Sequence, residues 1–383
     1  MSEQRDFASA FFQPFALRSM NLANRFAMAP MSRYFCPDRT PGEDVVEYYR
    51  KRAAGGVGLI ITEAVGIDQT RSIDDPRLPV MDDESRVDAW RKVTDAVHRE
   101  GAKIAMQIWH MGVLWDAQRA LQPDAVSLRP SGVLGPVGFT SLADDRIKAL
   151  LAPTKPMTDE EIADVVAGFG RTAALAVKAG FDGVEIHGAH GYLVDAFLWP
   201  GTNLRKDRYG GGPRARAQFG VEVVRSIRAS IGEERPLIFR FSQQKQQDYD
   251  ARFAESPEEL GEVLGALADA GVDMFDASVR RFNVPAFAGS DLTLAGWARK
   301  LTGKPSMAVG GIGLNNWVQD TLQRRSETLA TNNLDEVRKL FDKGMFDIVG
   351  VGRALISDPE WPRRVRTGEP FLAYDKRALK HLV

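Results

Sequence analysis

Gly180-Phe-Asp-Gly-Val-Glu-Ile-His187-Gly-Ala-His190-Gly-Tyr192 is the stretch whose reading decides the fold. Upstream of it, Ile162, Val165, Val166, Phe169, Ala173 and Val177 recur at the spacing of one buried helical face. Gly180 ends that helix, because glycine takes the left-handed conformation at little cost. Val184 and Ile186 then read as a strand. The unit is therefore a helix, a glycine and an apolar strand.

The same unit recurs along the chain. Gly55-Gly56 leads into VGLIITEA, Gly101 into AKIAMQIWH, Gly232 into PLIFRFS and Gly271 into VDMFDAS. Gly303 precedes PSMAVGG and Gly344 precedes FDIVGVG. With the short apolar run Arg25–Pro30, that makes eight strands. The helices between them carry start signals. Thr158 with Glu161 and Ser256 with Glu259 fit the capping box, and Pro257 takes the favoured first position. Alternating strands and helices imply a parallel sheet, and eight units predict an α/β fold of the closed (β/α)8 TIM-barrel type. The alternative is an open doubly wound sheet, but its Gly-rich dinucleotide turn is missing after the first strand.

Two segments fall outside the repeat. Phe11 to Arg25 suits a short N-terminal hairpin or cap. The stretch 110–157, after the third strand, is too long for a simple connection and reads as a lid or substrate loop. No linker divides the chain, so residues 1–383 are read as a single domain.

Composition narrows the function. Lys+Arg number 50 against 51 Asp+Glu, for a net charge of −1, which offers no basic excess for nucleic acid or anionic membrane. One cysteine, Cys36, excludes a disulfide within the chain and a Cys-ligated iron–sulfur cluster. The start, MSEQRDFASAFF, lacks a signal pattern, and no apolar run reaches membrane length. A cytoplasmic protein is expected.

Barrel enzymes place chemistry at the C-terminal ends of their strands. His187, His190 and Tyr192 crowd the end of the fourth, in a chain with 5 His. Two imidazole donors beside a phenol suit a site that holds an oxygen while protonating a nearby atom. Two core histidines, or half of a metal site, are the competing readings. No metal is expected, because no carboxylate or cysteine completes a tetrahedral set. Strand seven ends in Gly310-Gly311 and strand eight in Gly352-Arg353. Glycines allow close approach to an anion and arginine adds a clamp, so a phosphate site is expected there. Gln107 and Arg240 on other strands would suit a flat heterocycle bearing carbonyls and ring N–H groups.

These residues carry a resemblance. Asn24-Arg25…Ala29-Pro30-Met31, GLIITE from Gly58, HGAHGYL from His187, FLWPGTNLRKDRYGG from Phe197 and VGVGRALISDPEW from Val349 resemble the old yellow enzyme family of FMN-dependent ene-reductases. The likeness runs from Phe12 to about Arg363. It implies FMN as cofactor and NAD(P)H as reductant. Pro30, Met31 and Ser32 would line the flavin, with Ala64 and Gln107 at its ring edge and Arg240 beside its reducible part. Gly310, Gly311, Gly352 and Arg353 would hold its phosphate. His187 and His190 would bind the substrate carbonyl oxygen, and Tyr192 would donate the proton. Where family members often carry Thr or Cys, this chain has Ser32, which bears on the flavin's potential.

The implied reaction is reduction of an activated C=C bond in an electron-poor alkene, an α,β-unsaturated carbonyl or nitro compound. A flavin-dependent isomerase or dehydrogenase of enones, a non-redox phosphate-binding barrel lyase and a flavin store stay open at this point. So do the natural substrate, the choice of NADH or NADPH, and whether the chain forms a homo-oligomer.

Overall fold

The glycines set before the strands do what the sequence asks. Gly56, Gly101, Gly180, Gly232, Gly271, Gly303 and Gly344 have φ between 68° and 125°. A side chain would be strained there, so each glycine stops its helix and redirects the chain into a strand. The computed structural model describes residues 9–122, 124–316 and 326–382.

An antiparallel hairpin comes first, β1 (Phe15–Leu17) paired with β2 (Met20–Leu22). The strands β3 (Phe26–Met28), β4 (Leu59–Gly66), β5 (Lys103–Trp109) and β6 (Gly183–His190) follow. Then come β7 (Leu237–Lys245), β8 (Met274–Ser278), β9 (Ser306–Val309) and β10 (Ile348–Val351). From β3 to β10 they form a closed barrel in sequence order, parallel throughout, with β10 returning to β3. This is the expected eight-stranded TIM barrel with its N-terminal hairpin.

The hairpin closes the end where the strands begin. Leu17, Met20 and Leu22 form one apolar cluster with the barrel residues Ala27, Ile61, Ile238, Met274, Met307 and Ile348. Its turn is pinned from outside, as Arg18 Nε donates to Asp273 at 2.5 Å. The helices bury their apolar faces in a second, larger cluster around the barrel. The helix Asp159–Lys178 begins with the complete capping box of Thr158 and Glu161. At the helix Pro257–Ala270, Ser256 accepts from the Glu259 amide as expected. The Glu259 carboxylate, however, binds the amide of Glu255 at 2.8 Å, so the box is shifted by one residue.

The long connection after β5 is built more firmly than a plain loop. Gly112–Leu114 forms a tight turn and Asp144–Leu151 an α-helix that begins on the acidic pair. Trp115 is buried, its indole N–H donating to the carbonyl of Ile73 at 2.9 Å. Gln247, beyond β7, donates to the carbonyl of Leu134 at 3.2 Å and accepts from Gly138 N at 3.0 Å. The segment thus folds down over the end where the strands finish. Among the described residues no helix is long and apolar enough to cross a membrane.

Candidate active site

The site begins with a fault in a ladder. β6 and β7 pair in register as far as Gly188 with Phe241, then shift so that His190 meets Lys245. A bulge re-aims side chains. His190 sits at φ 64°, a conformation that a residue with a side chain rarely adopts. The turn is held from β7. The His190 amide donates to Ser242 Oγ at 2.9 Å and its carbonyl accepts from Gln246 N at 3.0 Å. One position further, Gly191 N donates to Asp195 at 2.6 Å. Asp195 also receives Lys245 Nζ at 2.6 and 2.8 Å, and both side chains are fully buried. A buried ion pair therefore staples the bulge between a strand and the helix Leu193–Leu198.

This geometry brings three rings together. His187 and His190 lie 5.1 Å apart edge to face, and Tyr192 lies 4.9 Å from His187 in the same manner. Trp109 packs on Tyr192 at 4.8 Å and is stacked near His187 at 6.0 Å. Tyr192 also packs against the apolar cluster that Val113, Leu114, Leu134 and Leu150 of the long connection form with Ala196.

The protonation states follow from burial. His187 and His190 are held well below the ordinary imidazole value, chiefly because burial disfavours their charged form. Arg240 opposes their protonation further. Both are neutral at physiological pH. The Nδ1 atom of His187 accepts from Ala189 N at 3.4 Å, which leaves its proton on Nε2. Burial pushes the Tyr192 phenol above its ordinary value, so it too is protonated.

A buried polar chain runs from these rings into the barrel. His190 Nε2 meets Ser278 Oγ at 2.9 Å, and Arg240 Nη2 donates to the same oxygen at 3.1 Å. The other arm of Arg240 is bonded to Asp276. Asp276 faces Glu185, and burial with mutual repulsion pushes that carboxyl well up. Glu185 accepts from Gln107 Nε2 at 2.7 Å.

A cavity of about 230 Å3 opens beside this chain. Pro30, Met31, His190, Arg240, Gly310, Gly311, Gly352 and Arg353, all expected at the site, line it together. His187 and Tyr192 adjoin it through their ring contacts with His190 and with one another. Ser32, Ala64 and Gln107 are not on its wall. Gln107 has a physical reason. It sits opposite Glu185 in the ladder, and that buried carboxyl group accepts from its amide. Ser278, Lys245, Tyr249 and Arg280 also line the cavity, though the sequence gives none of them a role. Ser278 ends the sixth barrel strand, and Lys245 and Tyr249 lie in the polar run Ser242–Arg252, which reads in sequence equally as a pocket wall or a solvated loop.

The residues fit a flavin nucleotide. Ala29, Pro30 and Met31 offer an apolar face. Beside Met31, a Cβ on Gly352 would meet only that residue's sulfur, at 3.6 Å, so the backbone there is open to close approach. Arg353 is preset beside it, Nη2 donating to the carbonyl of Asn316 at 2.6 Å. That end suits a phosphate, and the Arg240 end suits a polar ring edge. Cys36 is buried with its thiol pushed up by desolvation, which leaves it inert.

Comparison with known proteins points the same way. The family model described as NADH:flavin oxidoreductase / NADH oxidase matches residues 10–371. The chain is 31% identical to an NADH oxidase of Thermoanaerobacter brockii over 358 residues, 91% of this chain and 49% of that protein. It is 33% identical to a putative 12-oxophytodienoate reductase 3 of Oryza sativa subsp. japonica over 371 residues, 94% of this chain and 87% of the rice protein. It therefore spans about half the length of the first relative and most of the second. Among solved structures, the old yellow enzyme homologue from Zymomonas mobilis superposes with a TM-score of 0.77 at 26% identity, covering 97% of this chain and 96% of that one.

Proposed function

The chain belongs to the NADH:flavin oxidoreductase / NADH oxidase family, and on that footing we propose that it is an FMN-dependent enzyme that reduces activated C=C bonds with NAD(P)H. The observation that supports this reading is the ring cluster of His187, His190 and Tyr192, which reaches the cavity lined by Arg240, Gly352 and Arg353 through His190.

FMN bound there would supply the hydride chemistry between nicotinamide and alkene. The chain's own residues bind, polarise and protonate. His187 Nε2–H donates to the substrate oxygen. Ser278 Oγ accepts from Arg240 and is bonded to His190 Nε2; with the serine hydroxyl donating to Nε2, the imidazole proton sits on Nδ1. Each histidine then offers one N–H to the oxygen. Both donors are neutral and fixed, so they strengthen as negative charge gathers on that oxygen and need no reorganisation. Tyr192 packs edge to face on His187, and its phenol is the group that protonates carbon. A phenol held above its ordinary value keeps its proton until a strongly basic carbon takes it. Trp109 and the 110–157 segment wall off water on that side. The partners required are diffusible, a nicotinamide nucleotide and a small electron-poor alkene, which suits a cytoplasmic enzyme.

The test is spectroscopic. Protein reconstituted with FMN should bleach at the flavin band when NADH or NADPH is added without oxygen. An enone or nitroalkene should then restore the colour. A protein that binds no FMN would sink the reading, and so would one whose reduced flavin ignores every activated alkene.

A further inference from the structure

A second cleft, of about 290 Å3, lies beside the first and shares with it Gln244, Tyr249, Val279 and Arg280. Its remaining wall differs in character. Arg252 and Arg281 join Arg280 on this wall, the Arg280 nitrogens being themselves buried, and Asp250 is the single carboxylate among the described residues that line it. That is a local excess of positive charge in a chain whose net charge is −1. Two of the arginines are preset. Arg280 stacks on the Tyr249 ring at 3.6 Å, and Arg252 donates to the carbonyl of Ala286 at 2.9 Å. An apolar stretch adjoins them. Val284, Pro285 and Ala286 form it, and the loop is closed by a bridge from Pro285 to Thr293 and by Ala286 N donating to Leu292 O at 3.0 Å.

We propose that this cleft binds the phosphorylated adenosine half of the nicotinamide nucleotide and favours NADPH over NADH. The inference rests on the function proposed above and adds to it where the non-reacting half of the reductant goes. The shared wall is the reason for choosing this ligand. A molecule reacting in the first cavity and extending past Tyr249 enters the second. A nicotinamide nucleotide has the chemistry that the second cleft complements: anionic phosphates for the arginines and a flat purine for the Val284–Ala286 face. The added 2′-phosphate of NADPH brings further negative charge to a cleft walled by Arg252 and Arg281. Binding energy from a remote part of a substrate lowers its KM without entering the chemical step.

The experiment compares reductants with and without that half. N-benzyl-1,4-dihydronicotinamide carries the reacting ring and no phosphate. The Arg252→Gln/Arg281→Gln double variant should raise KM for NADPH by about tenfold, as expected for two partly exposed charge contacts. Saturated flavin reduction by NADPH, and reduction by the benzyl compound, should be unchanged. Calorimetry with adenosine 2′,5′-bisphosphate should give a matching loss of affinity, and Arg252→Lys/Arg281→Lys should recover much of it. An unchanged bisphosphate affinity, or equal losses with NADPH and the benzyl compound, would overturn the assignment. Failure of the wild type to accept electrons from either reductant would instead strike the proposed function, and this inference with it.

Discussion

At the end of the barrel where the strands begin, Leu17, Met20 and Leu22 of the hairpin meet inward side chains from β3, β4, β7, β8, β9 and β10 in one apolar cluster. At the other end, β6, β7 and β8 present His187, Arg240, Asp276 and Ser278, with Lys245 and Asp195 alongside, all of them buried. The first end is held by burial of apolar area, which is additive and asks little of geometry. The second is held by hydrogen bonds and paired charges, each of which costs free energy if its partner moves. It also keeps His190 in a strained backbone conformation. The difference teaches where substitution should cost folding and where it should cost chemistry.

The largest effect expected is chemical. Tyr192→Phe keeps the ring, and with it the contacts to Trp109 and His187. It removes the acid. Flavin reduction by the nicotinamide needs no proton on carbon and should be nearly unchanged. Reoxidation by an enone should slow by about 10²–10⁴-fold. Stopped-flow traces of the two half-reactions check this. If both slow equally, Tyr192 is a packing residue, and the contrast between the two ends weakens.

The matching test at the other end is Leu22→Ala. Leu22 is 2% exposed in the hairpin cluster. Its truncation should cost about 2–5 kcal/mol of stability by denaturant titration. Turnover of the folded fraction should hold. A variant that loses turnover without losing stability would mean that the hairpin end reports to the site.

The two ends also differ in how far they can be read from sequence. The barrel was legible because its signals are local: a helical face, a glycine with positive φ, an apolar strand. His187, His190 and Tyr192 were legible because the bulge that gathers them spans six residues. Gly310, Gly311, Gly352 and Arg353 could be paired because neighbouring strands of a barrel end side by side. What escaped was polar partnership at long range. His190 meets Ser278 from 88 positions away, and Lys245 meets Asp195 from 50. Nothing in either local pattern names the partner. Gln107 was placed on the correct strand, but its amide is taken by Glu185, and only the ladder register reveals that.

The smallest effect expected sharpens the comparison through pH. His110 is buried near the site end, where Nδ1 accepts from Gly112 N at 3.0 Å and burial lowers its pKa to about 3. In the unfolded chain it titrates near 6.5. Its folded value is depressed, so the native state stays neutral while the unfolded state gains a proton as pH falls below about 6.5. Stability from this group is therefore lost on acidification, by about 1.4 kcal/mol per pH unit until pH approaches 3. His187 and His190 act in the same direction. Glu63, raised to about 7 by burial, opposes them, because it takes up a proton in the fold before it does so in the unfolded chain. The wild-type profile alone would mix these contributions. His110→Asn separates them, since the amide oxygen can stand where Nδ1 stood and accept from Gly112. Between pH 7.5 and 5 the variant should gain about 2 kcal/mol relative to wild type, measured by denaturant titration at both values. Leu22→Ala, among apolar neighbours in the hairpin cluster, should shift both titrations by the same amount. If the His110 difference does not change with pH, or the Leu22 difference does, acid sensitivity does not reside where the buried imidazoles are.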